Sequence, residues 1–170
     1  MAITDTNLKW YYSGGASNSD PDASLGGVIS SVEVSTSIHG LFDRVTGPEA
    51  TDGTIEYRCV FFKNTDSDAN GLVDPAVFIQ SNSSSTDTTL AIGLDPAGKS
   101  ASATTIGSET SAPAGVSFSA PTDYAGGLAL PSAPYDQDEY IGIWVRRTVD
   151  TGSAADSSDA ATLRVQGDTV

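Results

Sequence analysis

Short apolar runs recur along this chain, each closed off by Ser, Thr, Asp, Gly or Pro, and none continues at helical spacing for ten residues. The strongest run is Ile55–Lys63. Its odd positions Ile55, Tyr57, Cys59 and Phe61 face one way, and Glu56, Arg58, Val60 and Phe62 face the other. The second face turns from charged to apolar, which suits a central strand whose far half is covered. Glu139–Val149 is a comparable run, with Ile141, Ile143 and Val145 in phase around Trp144, followed by Arg146 and Arg147. Thr88–Leu94 keeps Leu90, Ile92 and Leu94 on one face. In Val28–Ile38, Val28, Val32, Val34, Thr36 and Ile38 share even positions, which predicts a half-buried strand.

Weaker signals fill out the pattern. Leu8–Tyr12 reads as an edge strand or an anchoring arm, and Ala76–Gln80 as a strand opened by Pro75, where a missing donor is tolerated. Short strands are expected near Val116–Phe118 and Leu128–Leu130, within a long stretch of Ala, Ser, Thr, Gly and Pro whose spaced apolar residues imply packing. Thr162–Val165 is read as a closing strand. Leu41, Phe42 and Val45 could make one amphipathic turn, but Gly47 and Pro48 would end it, so the segment is read as an irregular connection. The sum is an all-β fold, an antiparallel β-sandwich of about seven to nine strands with long Ser/Gly/Ala-rich loops. No segment offers a helical crossover for parallel pairing. The expected division is an N-terminal arm and loop over 1–27 and a β-sandwich domain over 28–170.

Charge narrows the partners. Eight Lys and Arg face 22 Asp and Glu, for a net charge of −14, which repels nucleic-acid phosphates and anionic membranes. No apolar run reaches the roughly 18 residues of a membrane span. The N-terminal MAITDTNLKWYY lacks the basic and apolar regions of a signal peptide. Cys59 is the single cysteine, so it reads as a small buried apolar residue rather than half of an intrachain disulfide.

Candidate sites are few. Asp66, Asp68 and Asn70 supply oxygens at positions 1, 3 and 5 of a calcium-loop pattern, with Gly71 at position 6 and Asp74 at position 9. Position 12 is Val77 rather than Glu, so the bidentate ligand is missing, and a polar connecting loop with a glycine turn explains the same residues. No cofactor is expected beyond that calcium alternative. Asp136, Asp138 and Glu139, like Asp20 and Asp22, read as solvated loop acids. His39, the only histidine, reads as a surface or loop residue with no nucleophile motif beside it. Arg58, Arg146 and Arg147 are expected in ionic contacts, either between subunits or as cross-strand pairs with Asp or Glu. Trp10, Tyr11 and Tyr12 either anchor a partner or close the domain's own core.

Three segments carry a resemblance. LKWYYSGGASNSDPDASLGGVISS, LFDRVTGPEATDGTIEYRCVFFKNT and the late IWVRRTV and LRVQGDT stretches resemble structural proteins of tailed bacteriophages, over roughly Leu8–Asp168. The resemblance implies a non-enzymatic virion protein of β-sandwich type that binds the particle in several copies and carries no catalytic residue. A capsid decoration or cement protein is the first expectation. It would be assembled in the host cytoplasm and held in the virion by the major capsid protein or other virion proteins, with self-association possible between copies. A tail, neck or baseplate subunit is the nearest alternative, followed by a carbohydrate-binding module on the virion surface and, last, a small glycan hydrolase.

Overall fold

The computed structural model describes residues 3–67, 71–154, 156 and 159–169. Among these residues seven strands form two antiparallel sheets: β1 (Leu8–Tyr12), β2 (Thr54–Asn64), β3 (Leu72–Ser81), β4 (Thr88–Leu94), β5 (Leu128–Ala129), β6 (Tyr140–Val149) and β7 (Thr162–Thr169). The first sheet has the order β1-β2-β6-β4 and the second β5-β3-β7. The fold is therefore all-β and sandwich-like, as the alternation predicts. Among the described residues no helix is long and apolar enough to cross a membrane.

The main core lies between the sheets. Val60 and Phe62 from β2 and Ile141, Ile143 and Val145 from β6 meet Val77 and Ile79 from β3 and Val165 from β7. The reverse face of the four-stranded sheet is not left to water. Tyr57, Cys59, Phe61 and Trp144 are covered there by Ile29, Ala103, Ile106, Val116 and Phe118, all from irregular segments. The long Ala/Ser/Gly-rich stretch thus forms a third layer. It contributes β5 near the expected Leu128–Leu130 strand. Val116–Phe118 forms no strand; the ladder contact beside it is a single bridge between Ile92 and Ser119.

Asp95 ties this layer to the sheet. Its carboxylate accepts from Trp144 Nε1 at 2.9 Å, from the Thr104 amide at 2.9 Å and from the Ala97 amide at 2.9 Å, while only 3% of the residue is exposed. Close approach of loop to loop also requires Gly26. Its φ is +91°, and a Cβ there would sit 1.7 Å from the Thr104 carbonyl oxygen.

The edges of the four-stranded sheet are closed by the chain itself. The Val28–Ile38 segment is not a ladder strand, contrary to its alternation. It lies along β1, with Ser30 N–H donating to Tyr12 O, Tyr12 N–H to Val32 O and Val34 N–H to Trp10 O. Val28 and Ile38 are left exposed rather than turned inward. At the other edge, Ile92 and Ser119 exchange backbone bonds. The Asn82 amide does the same for Leu90, donating to its carbonyl at 3.0 Å and accepting from its N–H at 2.8 Å. Such covering removes the template an open edge would present. On β7 no backbone bond occupies the outer edge among the described residues.

Two local differences have clear causes. Gly47 and Pro48 begin a helix rather than end one. In α1 (Gly47–Asp52) Thr46 is the N-cap, its hydroxyl accepting from the Glu49 amide while the Glu49 carboxylate accepts from the Thr46 amide at 2.6 Å. Proline is tolerated there because first-turn amides have no helical partner. Pro75 lies inside β3 rather than at its start, where the register with β7 shifts between Val73 and Ala76. The interruption leaves its missing N–H without consequence.

Residues 1–27 contribute β1, paired with β2 from Leu8↔Asn64 to Tyr12↔Val60. Trp10 packs edge-on against Phe62 at 6.0 Å, and Tyr12 is 3% exposed. The aromatic cluster closes the domain's own core. Replacing Asp95 by Ala strands the buried Trp144 indole N–H and should lower the unfolding free energy by about 2–3 kcal/mol. Urea titration followed by Trp fluorescence measures it, with Asp95→Asn, which keeps one acceptor, falling between.

Candidate functional site

At one end of the inter-sheet face the apolar core gives way to charge. Glu56 and Arg58 lie on the same face of β2 as Val60 and Phe62, and the β2–β6 register sets Glu56 opposite Arg147 and Arg58 opposite Val145. The face that the sequence suggested was half covered is covered throughout. Glu56 is 1% exposed and Arg58 is fully buried.

Three irregular segments bring the counter-charges. Where β1 has ended, the free edge of β2 is bonded by loops, Cys59 N–H to Ser24 O and Tyr57 N–H to Glu109 O. These bonds place Asp22 and Glu109 beside Arg58. Asp22 sits in a short 3-10 turn, its amide held by the Asp20 side chain at 3.0 Å. Arg58 Nη2 pairs with Asp22 Oδ1 at 3.1 Å and with Glu109 Oε2, and reaches Asp43 Oδ1 at 3.9 Å. Arg147 donates through Nε to Glu56 Oε2 at 2.6 Å and through Nη1 to the Asp43 carbonyl at 2.8 Å, and its Nη2 pairs with Asp43 Oδ1 at 3.3 Å. The Phe42 ring lies against both guanidiniums, 4.7 Å from Arg147 Cζ and 5.7 Å from Arg58 Cζ.

A cavity of about 320 Å³ opens at this cluster, lined by Asp22, Leu25, Asp43, Ser108 and Glu109. One oxygen from each of Asp43, Glu56 and Glu109 lies within 4.8 Å of the others. Burial pushes the Glu56 carboxyl above the usual carboxylate range. Arg147 opposes that shift, and the nearby Glu109 and Glu49 carboxylates add to it.

The residues marked from sequence divide as follows. Arg147 makes a cross-strand pair with Glu56, the intrachain form of contact expected of it. Arg146 points to the reverse face, its Cζ 5.3 Å from the Phe118 ring. Asp22 is an ion-pair partner rather than a solvated loop acid, and Asp20 is a cap. Asp138 pairs with Lys63 at 2.7 Å and Glu139 with Lys99 at 2.8 Å. His39 is exposed at a loop tip with φ +61°. Cys59 is fully buried, and burial raises its thiol pKa far above the ordinary value. Of the calcium-loop residues, Asp68 and Asn70 lie outside the described residues. Asp66 is buried, accepting from Asn7 Nδ2 at 2.6 Å. Asp74 is exposed with φ +47° at the β3 register shift. Asp43 and Glu109 had no local sequence signal, since neither stands in a motif.

Because Glu56 is almost wholly buried, removing its cation leaves an uncompensated charge. Arg147→Met keeps the apolar stem and should destabilise the fold by about 3–5 kcal/mol in urea titration. Lys9→Met, which breaks the exposed pair with Glu33, should change stability little in the same measurement.

Comparison of the chain with family models, with curated proteins and with solved structures returns no match.

Proposed function

We propose that this chain is a non-enzymatic structural protein that decorates and stabilises the capsid of a tailed phage. It docks on the major capsid protein in many copies. The observation that carries this reading is Ile38. The residue is 74% exposed at a loop tip. The loop is braced from below, because the hydroxyl of buried Tyr12 donates to the Gly40 carbonyl at 2.7 Å and accepts from the Ser35 amide at 3.0 Å. A large aliphatic group exposed on a braced loop suits a preorganised anchor for a protein pocket, where little ordering entropy remains to be lost on binding.

Two further observations support the reading over its rivals. Among the described residues the exposed large apolar ones are the aliphatic Val28, Ile38 and Ile55. Trp10 and Trp144, which a sugar platform would display, pack in the two apolar clusters. The carboxylates nearest one another are engaged by Arg58 and Arg147, an arrangement that serves packing better than glycan hydrolysis. The net charge of −14 keeps such a subunit off packaged DNA.

Quantifying this chain against the major capsid protein in purified particles tests the proposal. Hundreds of copies per particle are expected. A count between six and a few dozen would favour a tail or baseplate position, and absence from particles would end the virion reading. Ile38→Asp should lower occupancy on particles while leaving the thermal midpoint of the free protein unchanged.

A further inference from the structure

We propose that Asp43, Glu56 and Glu109, with Asp22 at the rim, bind a divalent cation of the calcium class. The inference goes beyond the capsid reading and does not depend on it. The first observation is spacing. Oxygens bound to one calcium ion lie about 2.3–2.6 Å from it, so two of them are separated by at most about 5 Å. Asp43, Glu56 and Glu109 each offer an oxygen within 4.8 Å of the other two.

The second observation is independent of that geometry. Glu56 Oε1 is buried in a residue only 1% exposed and has no hydrogen-bond partner. Buried carboxylate oxygens are ordinarily satisfied, and an orphan on this scale is costly. The arginines account for the other half of each carboxylate. They engage Glu56 Oε2, Asp43 Oδ1 and Glu109 Oε2. Glu56 therefore turns one oxygen to Arg147 and leaves the other, buried, without a partner.

Charge gives the third argument. Four carboxylates (Asp22, Asp43, Glu56, Glu109) face two guanidiniums (Arg58, Arg147), leaving two negative charges in excess when all are ionised. A divalent ion balances that excess. The donors are all oxygen, since His39 is exposed at a loop tip and Cys59 lies on the reverse face of the sheet. This set selects a hard cation. Its members come from β2 and three separate loops, and the adjoining cavity of about 320 Å³ has room for water ligands. Calcium's flexible coordination suits such a site better than the strict octahedron of magnesium. Bound there, the ion would fasten the Asp22, Asp43 and Glu109 loops to β2.

The test is thermal unfolding of the full chain after chelator treatment, without added divalent ion and with about 10 mM calcium or magnesium chloride at matched ionic strength. Calcium should raise the midpoint by about 5 °C or more, and magnesium by less. Glu109→Gln, on an accessible loop, should abolish the calcium increment whatever its effect on the starting midpoint. Glu56→Gln should do the same, and Glu109→Gln decides alone if that variant does not fold. Asp74→Asn should retain the increment. No increment in the unaltered protein overturns the proposal. So does an increment that survives in Glu109→Gln, or one that disappears in Asp74→Asn, because either places the ion elsewhere.

Discussion

Ten consecutive residues of β2, Thr54 to Lys63, run antiparallel to β6 without a break in register, and the rest of the molecule is arranged around that pair. A one-residue slip of β2 against β6 would exchange the two faces of β2. On one face it would remove Val60 and Phe62 from the inter-sheet core. On the other it would displace Cys59 and Phe61 from beneath the loops. The same register brings Glu56 opposite Arg147. The core, the loop layer and the ion-pair cluster therefore depend on a single alignment.

The charged end of this face shows how a sandwich with a modest apolar content orders long loops. Asp22, Asp43 and Glu109 stand on segments with little regular structure, yet all three converge on Arg58, and Asp43 also on Arg147. Burying these charges costs solvation that their mutual attraction offsets only when partners are well placed. The arrangement penalises any loop conformation that leaves a guanidinium alone. It sets loop position in a way that nonspecific apolar contact cannot.

The strands with strong alternation were legible in the sequence because their period matches a sheet with two covered faces. Thr88–Leu94 is read to the residue, and β2 and β6 to within one. Val28–Ile38 shares that period but runs as an edge cover, so its alternation reports an extended backbone and not a buried side. The helix at Gly47 had a readable signal, Thr46 followed three residues later by Glu49, which the Gly-Pro pair obscured. The candidate site was legible only in part. Arg58 and Arg147 stood out as charges within apolar strands. Their partners lie 36 residues from Arg58 in the case of Asp22, and 91 and 104 residues from Arg147 in the cases of Glu56 and Asp43. Only tertiary structure joins positions so far apart.

Closure of the outer edges of β1 and β4 leaves β7 as the long strand with an unoccupied edge among the described residues. Among the described residues, β7 is then the long strand to which a further strand could add. A second copy joining through β7 would consume the open edge of both partners and end growth at a pair, whereas two open edges would allow a filament.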